Sequence, residues 1–463
     1  MKRRDFLRNI GIAAAGAAIS SPLLTAANAG PLKGIDLPIR PLAANTDRQI
    51  SVIIVGCGNR GSVYARYAEQ FPAAMKVVGV ADPQEHRRNL IGDRHEVPAN
   101  MRWTDFRDLF KTGRKLADAV VIATPDNLHY EPCMAALGLG YDILLEKPVA
   151  PTAKECKAIR DKANKTGRIV AVCHVLRYAP YFVALHEVLR SGAIGDIVSV
   201  QHMEPIQYAH MAHSYVRGIW RNSATSTPII LAKSCHDLDI LRWLIGKPCK
   251  TVCADGSLYY FKKENAPEGA PAYCTQPCPH ADTCPYNAID IYTRQKRHLG
   301  VLDLNGNRDP EFILSRLKDP HYNQYARCVF HCDNNQPDHY VADLLFEDGV
   351  TASFTMDAFT PEGGRRTRIM GTLGYVEGDM KEFRVWDFQT RKPKVWNKKV
   401  SEIPEYAESG HGGGDLALVR DFVEAVACHD QGKLSSDINV SMESHLMGFA
   451  CERSRRSGRK EKV

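Results

Sequence analysis

The sequence of 463 residues predicts an α/β domain with a doubly wound parallel sheet, followed by an α+β domain. Two observations carry the first half of that statement. A β-branched run, Ile50-Ser-Val-Ile-Ile-Val55, ends in Gly56, Gly58 and Gly61, the spacing of a tight strand-to-helix turn. Strand-like and helix-like runs then alternate as far as Cys173, a pattern that needs parallel strands with helices on both faces. The third observation is a change of pattern. Further along, apolar and polar residues alternate in four separate runs, the period of half-buried strands.

The chain opens with an address. Met1-Lys-Arg-Arg-Asp-Phe-Leu-Arg8 pairs Arg3 and Arg4 ahead of Phe6 and Leu7, the form of a twin-arginine (Tat) signal. An Ala/Gly/Ile stretch from Ile10 to about Leu24 is short for a membrane span, and Ala27-Asn-Ala29 is a small-x-small cleavage site. The expectation is Tat export to the periplasm, with residues 1–29 removed. An ordinary Sec signal or an uncleaved anchor is the competing reading. The Tat machinery carries folded proteins, which suits a chain that acquires its cofactor before export. Residues 30–47 read as an irregular linker or arm. Cleavage leaves about 430 residues, enough for two domains, 48–173 and 174–463. The net charge is +7, part of it in the signal and in the tail Arg453–Lys462. No basic run is interleaved with aromatics, and no later apolar run reaches membrane-spanning length. Neither nucleic acid nor membrane insertion is expected of the cleaved chain.

In the first domain the glycines have distinct tasks. Gly56 permits the turn, and Gly58 lets the backbone approach a pyrophosphate. Gly61 lets the following helix, Val63 to Phe71, pack close, so that its first N–H groups face the anion. Asn59 and Arg60 share that loop. The next strand, Lys76-Val-Val-Gly-Val-Ala-Asp82, ends in an acid about 20 residues on, where a ribose-binding carboxylate belongs. Ala119-Val-Val-Ile-Ala-Thr124 is a fully apolar strand, Leu128 to Leu137 has helical spacing, and Asp142 to Glu146 is another strand. Thr152 and Glu155 form a capping box for a helix to about Thr166, and Ile169 to Cys173 closes the domain. Ligands collect at the carboxyl ends of such strands. There stand Asp82, Thr124-Pro125-Asp-Asn127-Leu-His129 and Glu146-Lys147-Pro148. These, with the glycine loop, are the expected cofactor-binding residues. Asp82 favours NAD, while His86-Arg-Arg88 could clamp the 2′-phosphate of NADP.

In that order, the glycine motif with Asp82, T-P-x-x-x-H at Thr124–His129 and E-K-P at Glu146–Pro148 resemble the family of glucose–fructose oxidoreductase, inositol dehydrogenase and the MocA-like proteins (Gfo/Idh/MocA). Arg177-Tyr178-Ala-Pro180 and Gly192-Ala-Ile-Gly195 look like that family's crossover into its second domain. The resemblance covers nearly the whole mature chain. It implies a second domain built as an open, mostly antiparallel sheet with helices on one face. Its outer face often makes a homodimer or homotetramer contact. The alternating runs agree: Ile197–His202, Val341–Glu347, Val350–Met356 and Phe383–Phe388, with Glu347-Asp-Gly-Val350 as a hairpin turn.

The resemblance also implies that Lys147 contacts the hydroxyl being oxidised. A lysine whose ammonium is partly desolvated between cofactor and substrate can have a lowered pKa and handle a proton, and Glu146 is expected to orient it. A surface lysine before a proline turn is the alternative. In Ala232-Lys-Ser-Cys-His236-Asp-Leu-Asp239, His236 and Asp239 match the family pattern, but the acid usual four residues before the histidine is replaced by Ala232. Lys233 stands one position later and could contact a substrate oxygen. His236 is the second expected catalytic group, against a helix-capping or core histidine. Arg177, Tyr178 and Asp239 are placed with the substrate. His210 to Arg221 carries His213, Tyr215, Arg217, Trp220 and Arg221, suited to a sugar or anionic-sugar pocket or to an oligomer contact. His411-Gly-Gly-Gly-Asp415 either brings His411 to the substrate or is a flexible start to the helix Leu416–Val426.

Of fourteen cysteines, Cys57, Cys133 and Cys173 lie in core-like runs. Cys274-x-x-x-Cys278-x-x-x-x-x-Cys284, with Cys328 and Cys332, falls in a Pro-rich insertion at about 262–335. Disulfides, a structural metal site and unpaired thiols all stay open there.

The expected function is a nicotinamide-dependent oxidoreductase with tightly bound NAD, acting on a CH–OH group of a sugar, sugar derivative or cyclitol. The alternative is an NAD-dependent glycoside-cleaving enzyme that oxidises a ring hydroxyl, eliminates the aglycone and returns the hydride. A non-catalytic NAD-binding sensor or assembly protein is the third reading.

Overall fold

The computed structural model describes residues 30–31, 39–397, 406 and 409–463, so the expected signal at 1–29 lies outside the described residues. The strands are β1 (Gly30–Pro31), β2 (Ile50–Val55), β3 (Met75–Ala81), β4 (Arg102–Trp103), β5 (Ala119–Ile122), β6 (Asp142–Leu145), β7 (Val170–Val172) and β8 (Ile197–Pro205). They continue as β9 (Cys249–Ser257), β10 (His339–Phe346), β11 (Thr351–Asp357), β12 (Arg366–Gly371), β13 (Gly374–Gly378), β14 (Glu382–Asp387), β15 (Pro393–Asn397) and β16 (Glu461–Lys462).

Strands β4-β3-β2-β5-β6-β7 form a six-stranded, wholly parallel sheet. Every residue of β5, β6 and β7 is buried, so these strands are apolar without alternation, as strands covered on both faces must be. The order reverses between β2 and β5, and the crevice of an open α/β sheet lies beyond such a switch point. The helix Ala153–Thr166 begins as the capping box requires. Thr152 Oγ1 accepts from Glu155 N at 3.2 Å and donates to the Glu155 carboxylate at 2.7 Å.

The second sheet has ten strands in the order β1-β15-β14-β13-β12-β8-β11-β10-β9-β16. All its pairs are antiparallel except β8·β11 and β1·β15. The β10–β11 hairpin turns through Glu347–Gly349, with Asp348 at φ 56°. Alternation separates the faces: Tyr340, Ala342, Leu344 and Phe346 of β10 are buried, while Val341 between them is exposed. The buried face packs under the helices Pro180–Arg190, Cys235–Ile245 and Ile438–Ser457.

Two features go beyond the expected plan. The helices Gly414–Cys428 and Ile438–Ser457 return to the first sheet: Leu416, Val419 and Phe422 pack with Val52 and Ile54 on one face, and Ile438 and Met442 with Ile143 on the other. The two domains therefore share apolar cores. The Pro-rich insertion has a small core of its own, formed by Tyr292, Leu302, Ile313, Leu317 and Tyr325. All fourteen cysteines are free thiols, and among the described residues no His, Cys, Asp or Glu group is arranged to hold a metal.

Candidate active site

The glycine loop opens onto a cleft of about 1340 Å³ at the carboxyl ends of β2, β5 and β6. Drug-sized ligands occupy roughly 300–1,000 Å³, so this volume suits a dinucleotide together with a substrate. A Cβ on Gly56 (φ 94°) would lie 2.5 Å from the Ala123 backbone, so this position accepts only glycine. A Cβ on Gly61 would lie 2.0 Å from Gly56 O, and this closeness is how the helix Asn59–Gln70 seats against the turn. At Gly58, by contrast, a Cβ would meet nothing within 4 Å: that face is open to the cleft. The helix begins at Gly58 without a side-chain cap, so its first N–H groups are left for an anion. This cradle fits the pyrophosphate of NAD.

Asp82 ends the adjacent strand and lines the same cleft. Its carboxylate accepts from Cys57 N at 2.7 Å and Gln84 N at 2.8 Å, which fixes the glycine loop to β3. Thr124, Pro125 and His129 also line the cleft. The His129 ring lies between Thr124 O (3.0 Å) and Pro148 O (2.7 Å) and joins the two loops that follow β5 and β6. Asn127 is exposed and turned away, because its loop folds as a short helical turn over Asp126–Leu128.

Lys147 follows β6, before a cis peptide to Pro148. Its Nζ donates to Ala232 O at 2.9 Å. The helix Cys235–Ile245 from the second domain carries His236, one helical turn after Ala232. Lys147 and His236 thus face the same cleft from opposite domains. The Nδ1 of His236 is buried without a protein partner. Burial first, then Lys147 and His411, hold this imidazole neutral, well below the usual histidine range.

Glu146 does not reach the Lys147 ammonium. Its Oε2 accepts the Lys147 backbone N–H at 3.0 Å. Its Oε1 accepts from Arg60 Nε at 2.6 Å and from the Tyr64 hydroxyl. Burial raises the Glu146 carboxyl, but Arg60 and Lys147 outweigh it and keep it ionised. Arg60 lines the cleft but is engaged by two carboxylates, since its Nη2 also donates to Asp415 at 2.8 Å. Asp415 in turn lies 3.0 Å from His411 Nδ1. The His411 ring is 5.9 Å from that of His236. An imidazole–carboxylate pair therefore stands near His236, which has none of its own. Asp415 was legible as part of the glycine-rich motif, but its partner Arg60 lies 355 residues away and gave no sign in the sequence.

Five residues expected at the substrate are used elsewhere. Arg177 and Asp239 form a bidentate pair (2.7 and 2.7 Å) that is nearly inaccessible, at 4% and 1% side-chain exposure. A guanidinium and a carboxylate so close to one another in an apolar interior satisfy each other rather than a ligand. Tyr178 OH is taken by Ser436. Arg217 points into the insertion, donating to Arg327 O and Tyr286 O at 2.6 Å each. Lys233 pairs with Glu204 at 3.0 Å, and Lys147 takes the Ala232 carbonyl beside it. His213 and Trp220 do line the cleft, where His213 stacks on His298 of the insertion at 4.4 Å. Neither His298 nor Tyr325, which faces the same histidine, could be placed from the sequence, because the insertion has no pattern tying it to the cleft.

A dinucleotide cradle at a sheet switch point, closed by a second domain that brings a lysine and a histidine together, defines an NAD-dependent oxidoreductase. Comparison with known proteins gives the family. Residues 50–174 match the oxidoreductase family's NAD-binding Rossmann domain, and residues 186–463 match its C-terminal α/β domain. The chain belongs to the Gfo/Idh/MocA oxidoreductase family. It is 25% identical over 400 residues to YteT of Bacillus subtilis (strain 168), a protein named only as a candidate oxidoreductase, covering 80% of this chain and 88% of that one. It is 28% identical over 207 residues to inositol 2-dehydrogenase 2 of Saccharopolyspora erythraea, covering 44% of this chain and 56% of the relative. The chain thus matches about half the length of that relative. Two solved structures share the fold. One is an inositol dehydrogenase homologue from Azotobacter vinelandii with NAD+ (TM-score 0.65, 16% identity, 92% and 100% of the two chains). The other is levoglucosan dehydrogenase with NADH and levoglucosan (TM-score 0.64, 18% identity, 90% and 99%).

Proposed function

We propose that this protein oxidises a hydroxyl of a sugar, sugar derivative or cyclitol, with Lys147 and His236 as the proton-handling residues. The observation that carries the reading is the meeting of Lys147 and His236 in one cleft beside the glycine loop. Bound NAD supplies the hydride acceptor. The chain does the rest. Lys147, having passed its ammonium proton to solvent, takes the hydroxyl proton as a neutral amine while the carbon–oxygen double bond forms. The neutral His236 accepts a hydrogen bond from an adjacent hydroxyl or passes the proton on. The relatives and fold neighbours named for inositol and levoglucosan support a polyol substrate. The direct test is a panel of sugars and cyclitols, read as reduction of added or bound NAD.

A second reading has its own observation. His411, which lines the cleft, is paired with the Asp415 carboxylate, in a chain whose His236 lacks an acid at Ala232. Glycoside cleavage by transient oxidation needs such an additional base for the C–H next to the new carbonyl. Aglycone release from an aryl glycoside without net NADH would establish it.

Export through the Tat machinery is part of the same proposal, motivated by Arg3 and Arg4. Changing both to lysine is expected to hold the precursor in the cytoplasm. If fractionation finds the double variant in the periplasm at the wild-type level, the address is of another kind.

A further inference from the structure

The insertion reaches back across the cleft to the first domain. Its loop at residues 298–306 lines the cleft opposite the glycine loop. Gly300 lies against Asn59, such that a Cβ there would be 2.8 Å from Asn59 Oδ1. Three residues on, the Asp303 carboxylate meets the start of the helix Glu85–Arg94. It is 2.9 Å from His86 Nε2 and 3.3 Å from Arg87 Nη2. The carboxylate is held from its own side, since it accepts from Tyr322 OH at 3.0 Å. Arg316 in turn donates to that hydroxyl at 2.6 Å. At 8% side-chain exposure, Asp303 is enclosed rather than loosely paired on the surface.

These contacts fall beside Asp82, where the adenosine ribose of a dinucleotide belongs. His86, Arg87 and Arg88 are the groups that could take a 2′-phosphate. Arg88 donates to Asp82 O at 2.7 Å, and the other two face Asp303. A 2′-phosphate would have to displace Asp303 from Arg87 and His86 and approach two carboxylates. A 2′-hydroxyl needs only an acceptor. We propose that Asp303 selects NAD against NADP, and that the loop carrying it is a clasp that holds the dinucleotide in the cleft. This rests on the NAD-binding assignment of the first domain, not on the identity of the substrate.

The test uses the full mature protein stripped of dinucleotide. Binding of NAD and NADP is titrated separately, and the dissociation rate of NADH is followed by its fluorescence. Asp303→Asn keeps the shape and removes the charge. It is expected to shift the ratio of NADP to NAD affinity at least about tenfold toward NADP, equivalent to 1.4 kcal/mol. Adding Arg87→Ala should abolish that gain, because the freed cation is what the phosphate would use. Asp303→Ala also breaks the clasp and should speed NADH dissociation about tenfold or more. An unchanged ratio of NADP to NAD affinity in Asp303→Asn, in protein with the wild-type melting temperature, overturns the selection. An unchanged NADH dissociation rate in Asp303→Ala overturns the clasp. Wild-type protein that binds neither dinucleotide would instead strike at the NAD-binding assignment. If Asp303→Ala does not fold, Gly300→Val, which crowds Asn59 from the same loop, reads the dissociation rate in its place.

Discussion

Lys147→Ala is expected to lower turnover by on the order of 10²–10⁴ while the dinucleotide stays bound. The physical reason lies in what surrounds the side chain. The Lys147 Nζ donates to Ala232 O, and no hydrogen bond of it goes to the glycine loop that receives the pyrophosphate. Its neighbour Glu146 is tied to Arg60 and Tyr64 and bonds only the Lys147 backbone. Removing the side chain therefore deletes a proton acceptor without disturbing the cradle. His236→Ala should have a similar or smaller effect on the same two readings. Both are measured once the panel yields a substrate, with dinucleotide content determined on the same preparations. Near wild-type turnover in both variants would remove the proposed site. Loss of dinucleotide together with activity would make Lys147 a binding residue.

Asp239→Ala is expected to cost about 3–5 kcal/mol of stability, because it leaves the Arg177 guanidinium buried without its counter-charge. Both side chains are almost wholly buried, and Arg177 also donates to Ser435 O, so the pair ties the crossover between domains to the segment before the last helix. The pH dependence has a definite sign. Burial raises the Asp239 carboxyl, but Arg177 and then His174 outweigh it, and the folded-state value lies below the usual one. A depressed carboxylate stabilises above the unfolded value, about pH 4, and its contribution is lost as pH falls through the folded value. The stability gap between the wild type and Asp239→Asn should therefore be full at neutral pH and shrink in acid. Denaturant unfolding at several pH values measures it. A loss below about 1 kcal/mol at pH 7 would show that the pair is not the tie that its geometry indicates.

The first domain was readable because its instructions are local. Gly56 and Gly61 meet constraints set within a few residues, a positive φ and a close helix approach, so their spacing alone points to the turn. Thr152 and Glu155 form the capping box within one turn of helix. The apolar runs of β5 and β6 carry no alternation because both faces are covered, and a buried parallel sheet follows from that. The second sheet was readable in its alternating runs. The parallel β8·β11 pair within it was not, because pairing between distant strands leaves no mark on either one.

The candidate site divides along the same line. The sequence by itself determined the dinucleotide cradle, the acid at Asp82 and the presence of Lys147 and His236, because short motifs report backbone needs and reactive groups. Only the tertiary structure decided how the charged residues are spent. Arg177 and Asp239 read as substrate ligands in the sequence, yet they neutralise each other in the interior. Arg217 props the insertion, while His298 and Asp303 arrive at the cleft from far along the chain. A charge in a fold takes the nearest counter-charge that desolvation leaves it, and which one that is depends on distances in space that no spacing along the chain encodes.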